Sequence, residues 1–215
     1  MRDNVLSGTT RLVWLAIYVD MASVRQSWRT IEDVLYENAH SVYRALRNPA
    51  KVAWIHKLQR LVQAKLPADF IQSLKVHDGL RLSYVGTNRL FDYEALLPIS
   101  AISREYKMMC DLQDECNFAG FETSSRKIKN DVHWRVGWVP FTDADGDKFV
   151  LDLDPGPGGR YGQIIQFKNV GGESRRVLAD SFGEWLSIVA STLGKREFRL
   201  DERGSIWLQD LHLFY

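Results

Sequence analysis

Over residues 24–46 apolar side chains at Trp28, Ile31, Leu35, Val42 and Leu46 recur at intervals of three, four, seven and four, which places them on one face of a helix. Ser27 is read as its cap, and Asn48-Pro49 ends it. A second helix is predicted over residues 50–64, with Val52, Ile55, Leu58 and Val62 on one side and Lys51, Lys57 and Arg60 largely opposite. Leu66-Pro67-Ala68-Asp69-Phe70 opens a third. Proline suits a first helical position, where its missing N–H costs nothing, and Asp69 complements the positive end of the helix dipole. Phe70, Ile71 and Leu74 turn inward, and Gly79 after His77-Asp78 supplies a left-handed cap. Short strands are predicted over residues 80–85 and 91–94, ahead of Leu96-Leu97-Pro98-Ile99. A helix over 102–116 with the face Ile102, Tyr106, Met109 and Leu112 follows, and then a polar loop to residue 133.

The chain is organised around residues 138–167, WVPFTDADGDKFVLDLDPGPGGRYGQIIQF, two or three strands joined by two turns. Residues 142–146, TDADG, have the chemistry of a tight turn, because Gly tolerates positive φ and Asp bonds its own backbone. Phe149, Leu151 and Leu153 alternate with Val150, Asp152 and Asp154, giving one apolar face and one that turns acidic. The PGPGG break at 155–159 then leads through Gly162 into the extended run Ile164, Ile165, Phe167. Near the end, Ser181-Phe182-Gly183-Glu184 has the spacing of a capping box. The stripe Phe182, Trp185, Leu186, Val189 and Leu193 predicts a core helix ending at Gly194, and residues 198–211 read as a terminal hairpin.

The W-x-P-F segment, the Asp/Gly turn, the LDLDP strand end and the glycine-rich turn into GQII resemble the SUKH superfamily, whose members include fungal cell-wall synthesis regulators and many bacterial immunity proteins. SWRTIE at 27–32, LPADF at 66–70, VHDG at 76–79 and SFGEWL at 181–186 extend the resemblance in the same order. It implies an α+β fold, a central, mainly antiparallel twisted sheet packed with N-terminal and C-terminal helices. On this reading residues 1–20 are an N-terminal extension outside the family, 21–194 the SUKH-like domain and 195–215 a C-terminal hairpin or tail. The apolar run at 12–19, LVWLAIYV, is too short to span a membrane. An extension from an early start codon, a signal segment, and an added strand or partner-binding element all remain open for it.

Composition is that of an ordinary globular chain apart from seven tryptophans, and 215 residues suffice for a full core. Bulk charge is nearly neutral, with 28 basic against 27 acidic side chains. The distribution is polarised. No acidic residue lies between Glu37 and Asp69, where Arg44, Arg47, Lys51, Lys57, Arg60 and Lys65 cluster, while residues 143–154 hold five aspartates against one lysine. The resemblance implies acidic residues in the second helix, and the basic ones here depart from it. Cys110 and Cys116 match no zinc spacing and no disulfide framework, which points to free thiols in a reducing cytoplasm.

The aspartates at 143, 145 and 147 mimic the opening of a calcium loop, but the glycine falls at loop position 4 instead of 6 and position 12 is Asp154 instead of Glu. The glycine-rich run lacks the Gly-Lys-Ser/Thr ending and following helix of a phosphate loop. His77 beside Asp78 has no nucleophile at motif spacing. No enzyme, metal or cofactor is therefore expected. The resemblance implies an immunity protein that binds a cognate bacterial toxin, for instance a nuclease, in the cytoplasm, with Asp143, Asp145, Asp147, Asp152 and Asp154 as the partner-binding surface. The alternative is a non-enzymatic regulatory scaffold similar to the fungal regulators; long disordered extensions would be expected of one, which favours the immunity reading. A nucleic-acid module on the basic helix is a weaker third, because stacking aromatics are not interleaved through the basic segments. Trp54, Trp134 and Trp207 are candidate hot spots, each equally suited to the core.

Overall fold

The computed structural model describes residues 8–82, 89–90, 94–116, 118–120, 125–169, 175–202 and 204–208, and for residues 8–22 the backbone only. The predicted strands over 80–85 and 91–94 fall partly outside these residues, and the Gly171-Gly172 connection and Leu211 lie wholly outside them. Four helices lead: α1 (Gly8–Asn38), α2 (His40–Ala45), α3 (Val52–Leu61) and α4 (Ala68–Leu74). Strand β1 (Ala95–Leu96) and helix α5 (Ile99–Cys116) precede β2 (Trp138–Pro140), β3 (Thr142–Asp143), β4 (Lys148–Asp152), β5 (Gln163–Phe167) and β6 (Arg176–Ala179). Helix α6 (Phe182–Gly194) and the hairpin β7 (Phe198–Leu200) and β8 (Ile206–Leu208) complete the order. The fold is α+β: an antiparallel sheet in the order β2-β4-β5-β6, with helices from both ends of the chain packed against it.

The register explains which residues share a face. Val139, Leu151 and Ile164 lie opposite one another across β2, β4 and β5, and with Phe149 they join one core with Trp28, Ile31 and Leu35 of α1 and Trp185, Leu186 and Val189 of α6. The alternate row, Pro140, Val150 and Ile165, faces the other way. Val150 and Ile165 belong to a second core with Trp138 and Phe167, beneath Met109 of α5, Ile128 and Trp134. Here the sequence pattern misleads: all five residues of β4 are buried, including Lys148 and Asp152, so the face that reads as solvent-facing is covered by α5 and the loop that follows it.

At Phe141 the strand changes partner. β2 pairs with β4, whereas β3 pairs with β1, and the hydroxyl of Thr142 accepts the Phe149 N–H at 2.7 Å. A side-chain oxygen thus satisfies an amide that the departing backbone leaves behind.

Several helix boundaries move. α1 begins at Gly8, so Ser27 is an interior residue instead of a cap, and the helix runs through the expected boundary at residue 20 without a break; the added-strand reading of residues 12–19 is excluded. The single stripe of residues 24–46 is divided at Ala39 between α1 and α2, and Leu46 leaves the helix to bridge Leu80. Pro67 is the N-cap of α4 and not its first residue. α4 gives way at Lys75, so Gly79 does not cap it: its φ of +65° turns the chain where an added Cβ would meet the Leu97 carbonyl carbon at 2.4 Å. Ser181 accepts the Glu184 amide at 3.1 Å, but the Glu184 carboxylate returns to the amide of Asp180, at 2.7 Å, one residue before the box requires. Gly194 is the last residue of α6, and the left-handed residue after it is Arg196.

Candidate partner interface

The five aspartates expected to form one contact surface separate into two groups at opposite ends of β4. At one end Ala144 and Asp147 exchange both backbone bonds, at 2.9 and 3.0 Å, around Asp145 and Gly146, whose φ angles of 53° and 104° make this a two-residue hairpin loop of the primed kind. Asp145 is exposed at the tip. Its neighbours are engaged inward. Asp147 accepts from Lys168 Nζ at 2.9 Å and from the Asn169 amide at 2.8 Å. Asp143 pairs with Lys148, whose side chain is 1% exposed and whose ammonium also reaches Glu105 at 3.3 Å. Close by, Glu94 is buried with one carboxylate oxygen lacking a partner. Burial above all pushes its carboxyl up to about 8; Asp143 and Asp147 add to this, against the Thr142 bond and Lys148.

At the other end Asp152 is fully buried and cannot meet a partner, which corrects the expectation for this residue. It accepts from Gln163 Nε2 at 2.8 Å and from the Asp154 amide at 3.0 Å, and burial raises its pKa in spite of both. Asp154 accepts from Arg135 at 3.0 and 2.7 Å and pairs with Lys129; burial would raise its pKa, but these cations outweigh it and hold the carboxyl below the usual range. The glycine-rich turn beyond is a docking surface for the chain itself. A Cβ on Gly156 or Gly159 would stand 2.4 Å from the Arg126 carbonyl oxygen or 2.3 Å from that of Lys127, and Gln163 donates to the latter oxygen at 2.9 Å. On the turn's other side, the Tyr161 hydroxyl donates to the Lys65 carbonyl at 2.6 Å.

His77 and Asp78 are each fastened by partners elsewhere in the chain. The imidazole bridges the Arg47 carbonyl and Glu32, both at 2.8 Å, while Asp78 accepts the Ile99 amide at 2.8 Å at the start of α5. Among the described residues no three His, Cys, Asp or Glu side chains are grouped to hold a metal ion.

A basic groove lies on another surface. Arg47, Trp54, Lys57, Asp78, Ile99, Ser100 and Ser103 line a groove of about 330 Å³ between α3 and the first turn of α5. Trp54 is 41% exposed and Val52 55%, and Lys51 lies over the Trp54 ring at 5.3 Å. The sequence named Trp54 and the basic cluster, but not Ser100 and Ser103. Their one legible signal was a polar stripe at helical spacing, 100, 103 and 107, before and within the predicted helix. Of the other candidate hot spots, Trp134 is core and Trp207 half-buried. No helix among the described residues is long and apolar enough to cross a membrane.

Comparison with known proteins places this architecture. A cell wall biosynthesis/cell cycle regulator of Schizosaccharomyces pombe is 31% identical over 192 residues, covering 83% of this chain and 38% of its own length. A glucan synthesis regulatory protein of Neurospora crassa is 26% identical, covering 83% of this chain and 40% of its own. A cell wall assembly regulator of Saccharomyces cerevisiae is 23% identical, covering 78% and 40%. The chain thus spans about two fifths of the length of these relatives. The matching relatives are fungal regulators, which favours the regulator alternative over the immunity reading and its bacterial setting. With the model of the SMI1 / KNR4 family (SUKH-1) matching residues 49–188, well over half of the sequence, the chain belongs to that family.

Proposed function

We infer that this chain is a non-enzymatic binding module of a cell-wall synthesis regulator, acting by holding other proteins. Its match to three fungal proteins named for regulating cell-wall or glucan synthesis carries the reading. The side-chain chemistry supports it: the ionisable residues near the sheet are spent on internal ties, as with Asp78 on the α5 amide and Lys148 on two carboxylates. Long extensions are no argument against it, because the relatives are about two and a half times as long as the part this chain matches. Of the five aspartates on which toxin neutralisation leaned, Asp152 is buried and Asp143, Asp147 and Asp154 are paired with cations of this chain, which weighs for the regulator reading. Free Cys110 and Cys116 suit a cytoplasmic setting.

A chimera tests this. The matching region of the Schizosaccharomyces pombe regulator is replaced by this chain in a strain lacking the native gene, and growth is followed on a wall-perturbing dye. Restored growth at native-like chimera levels is the expected result. A stable chimera no better than the empty vector would reject the regulator reading.

A further inference from the structure

The groove between α3 and α5 joins three features. It has an exposed aromatic floor in Trp54, cations on its walls in Arg47 and Lys57, and hydroxyls at its base in Ser100 and Ser103. Its one lining carboxylate, Asp78, is 2% exposed and already committed to the Ile99 amide and, at 3.4 Å, to Arg47. Arg47 Nε lies 3.4 Å from Asp78 as an ion pair without a hydrogen bond, and the side chain remains 36% exposed, so its guanidinium keeps donors for a ligand. Charge extends beyond the lining: Arg44, Lys51 and Arg60 are exposed on α2 and α3 or just before α3, and Lys107 continues the Ser100 and Ser103 stripe. The nearest acidic residues in sequence on this arm, Glu37 and Asp69, lie outside it, and Asp69 is buried.

We propose that this groove docks an acidic linear segment of a partner protein, an apolar side chain packing on Trp54 while flanking Asp or Glu carboxylates meet Arg47, Lys57 and Lys51. The proposal rests on the regulator reading and gives it a surface. A carboxylate accepts the planar fork of an arginine in two parallel bonds, which suits the half-exposed Arg47. An aromatic ring flanked by cations is the arrangement in which a few residues carry most of an interface's affinity. Single-stranded nucleic acid fits less well: it requires successive stacking rings along a basic track, and here one ring sits in a pocket the size of two or three side chains.

The probe is a fluorescein-labelled pool of 12-residue peptides, Asp/Glu-rich with randomised apolar residues at the two central positions, titrated by anisotropy at about 150 mM salt. The intact chain is compared with its Trp54→Ala, Lys57→Glu and Lys195→Glu variants. All three side chains are exposed, and circular dichroism confirms an unchanged fold. Saturable binding weakened at least tenfold by Trp54→Ala and by Lys57→Glu, and unchanged by Lys195→Glu, is the expected result. A pool with Asn/Gln in place of Asp/Glu should not bind. Absence of saturable binding, equal binding by all variants, or preferential binding of a 12-nucleotide oligouridine through the same two residues would each overturn the proposal. The chimera separates this from the broader reading. If the unsubstituted chimera restores growth and its Trp54→Ala and Lys57→Glu forms do so equally, the groove is dismissed while the regulator reading stands. If the unsubstituted chimera fails, the peptide titration judges the groove alone.

Discussion

Asp69 illustrates how a single carboxylate joins distant parts of the chain. It is 4% exposed, and its two oxygens accept the Phe70 amide at 2.8 Å and the Gly183 amide at 2.7 Å, serving the first turns of both α4 and α6. Both helix dipoles place positive charge there, which offsets the cost of burying the anion. Asp69→Ala should therefore cost about 3 kcal/mol, because it strands two buried donors, and Asp69→Asn less, because one oxygen survives; urea midpoints at constant slope check both. Glu94 makes the opposite kind of prediction. Its carboxyl titrates at about 8 in the folded chain against an ordinary value of 4.5, so between those pH values the native state holds a proton that the unfolded state has released. Stability must then fall as pH rises from 4.5 to about 8 and level off above, with a slope approaching roughly 1.4 kcal/mol per pH unit from this residue. Glu94→Gln removes that slope, leaving the smaller fall from Asp152, whose pKa is also raised. Asp154, held low by its cations, acts in reverse and loses its contribution as pH falls. Unfolding curves at pH 5, 6, 7 and 8 should show the variant gaining on the parent toward alkaline pH; parallel curves would refute the assignment.

Among the elements, the turn after β4 shows why composition alone reads ambiguously. Five small or cyclic residues at 155–159 announce a break in any strand, yet the glycines within it have different duties. Gly159 is required by the approach of the Lys127 carbonyl, whereas a Cβ at Gly158 would find its nearest neighbour, Lys127 Cγ, at 3.7 Å. Gly159→Ala should thus cost about 1–3 kcal/mol, and Gly158→Ala should be neutral or slightly stabilising, since it restricts the unfolded chain without a clash. Thermal midpoints of the pair decide this, and equal losses would contradict it. The same contrast marks what the sequence could disclose. The α6 stripe was legible because five apolar residues at helical spacing have only one face to bury. The covering of the second sheet face was not, because Lys148 and Asp152 carry the polar signature of solvent, and their partners Glu105, Asp143 and Gln163 come from elsewhere in the chain. For the same reason the acidic patch looked continuous: spacing along a strand shows which residues share a face, not which cations arrive to pair with them.

At the scale of the molecule, the sheet separates two hydrophobic cores that differ in what they serve. The larger holds α1, α4 and α6 against Phe149, Leu151 and Ile164, and the smaller holds α5 against Val150, Ile165 and Phe167. Helix α5 belongs to both, giving Ile99, Ala101, Ile102 and Tyr106 to the first and Met109 to the second, and its opening turn lines the basic groove. A groove built on such a helix is held by buried contacts on either side of the sheet, so its walls are rigid and its exposed side chains are free to vary with the partner. This predicts how damage propagates. Leu186→Ala in the larger core and Met109→Ala in the smaller should each cost about 2–5 kcal/mol. With the sheet between them and no shared cavity, their costs should add to within about 0.5 kcal/mol in the double variant, provided unfolding remains a single transition. A double-variant cycle by urea unfolding measures this directly. A coupling above about 1 kcal/mol would mean that α5 transmits strain from one core to the other, and the groove on its first turn would then respond to packing deep in the molecule instead of standing apart from it.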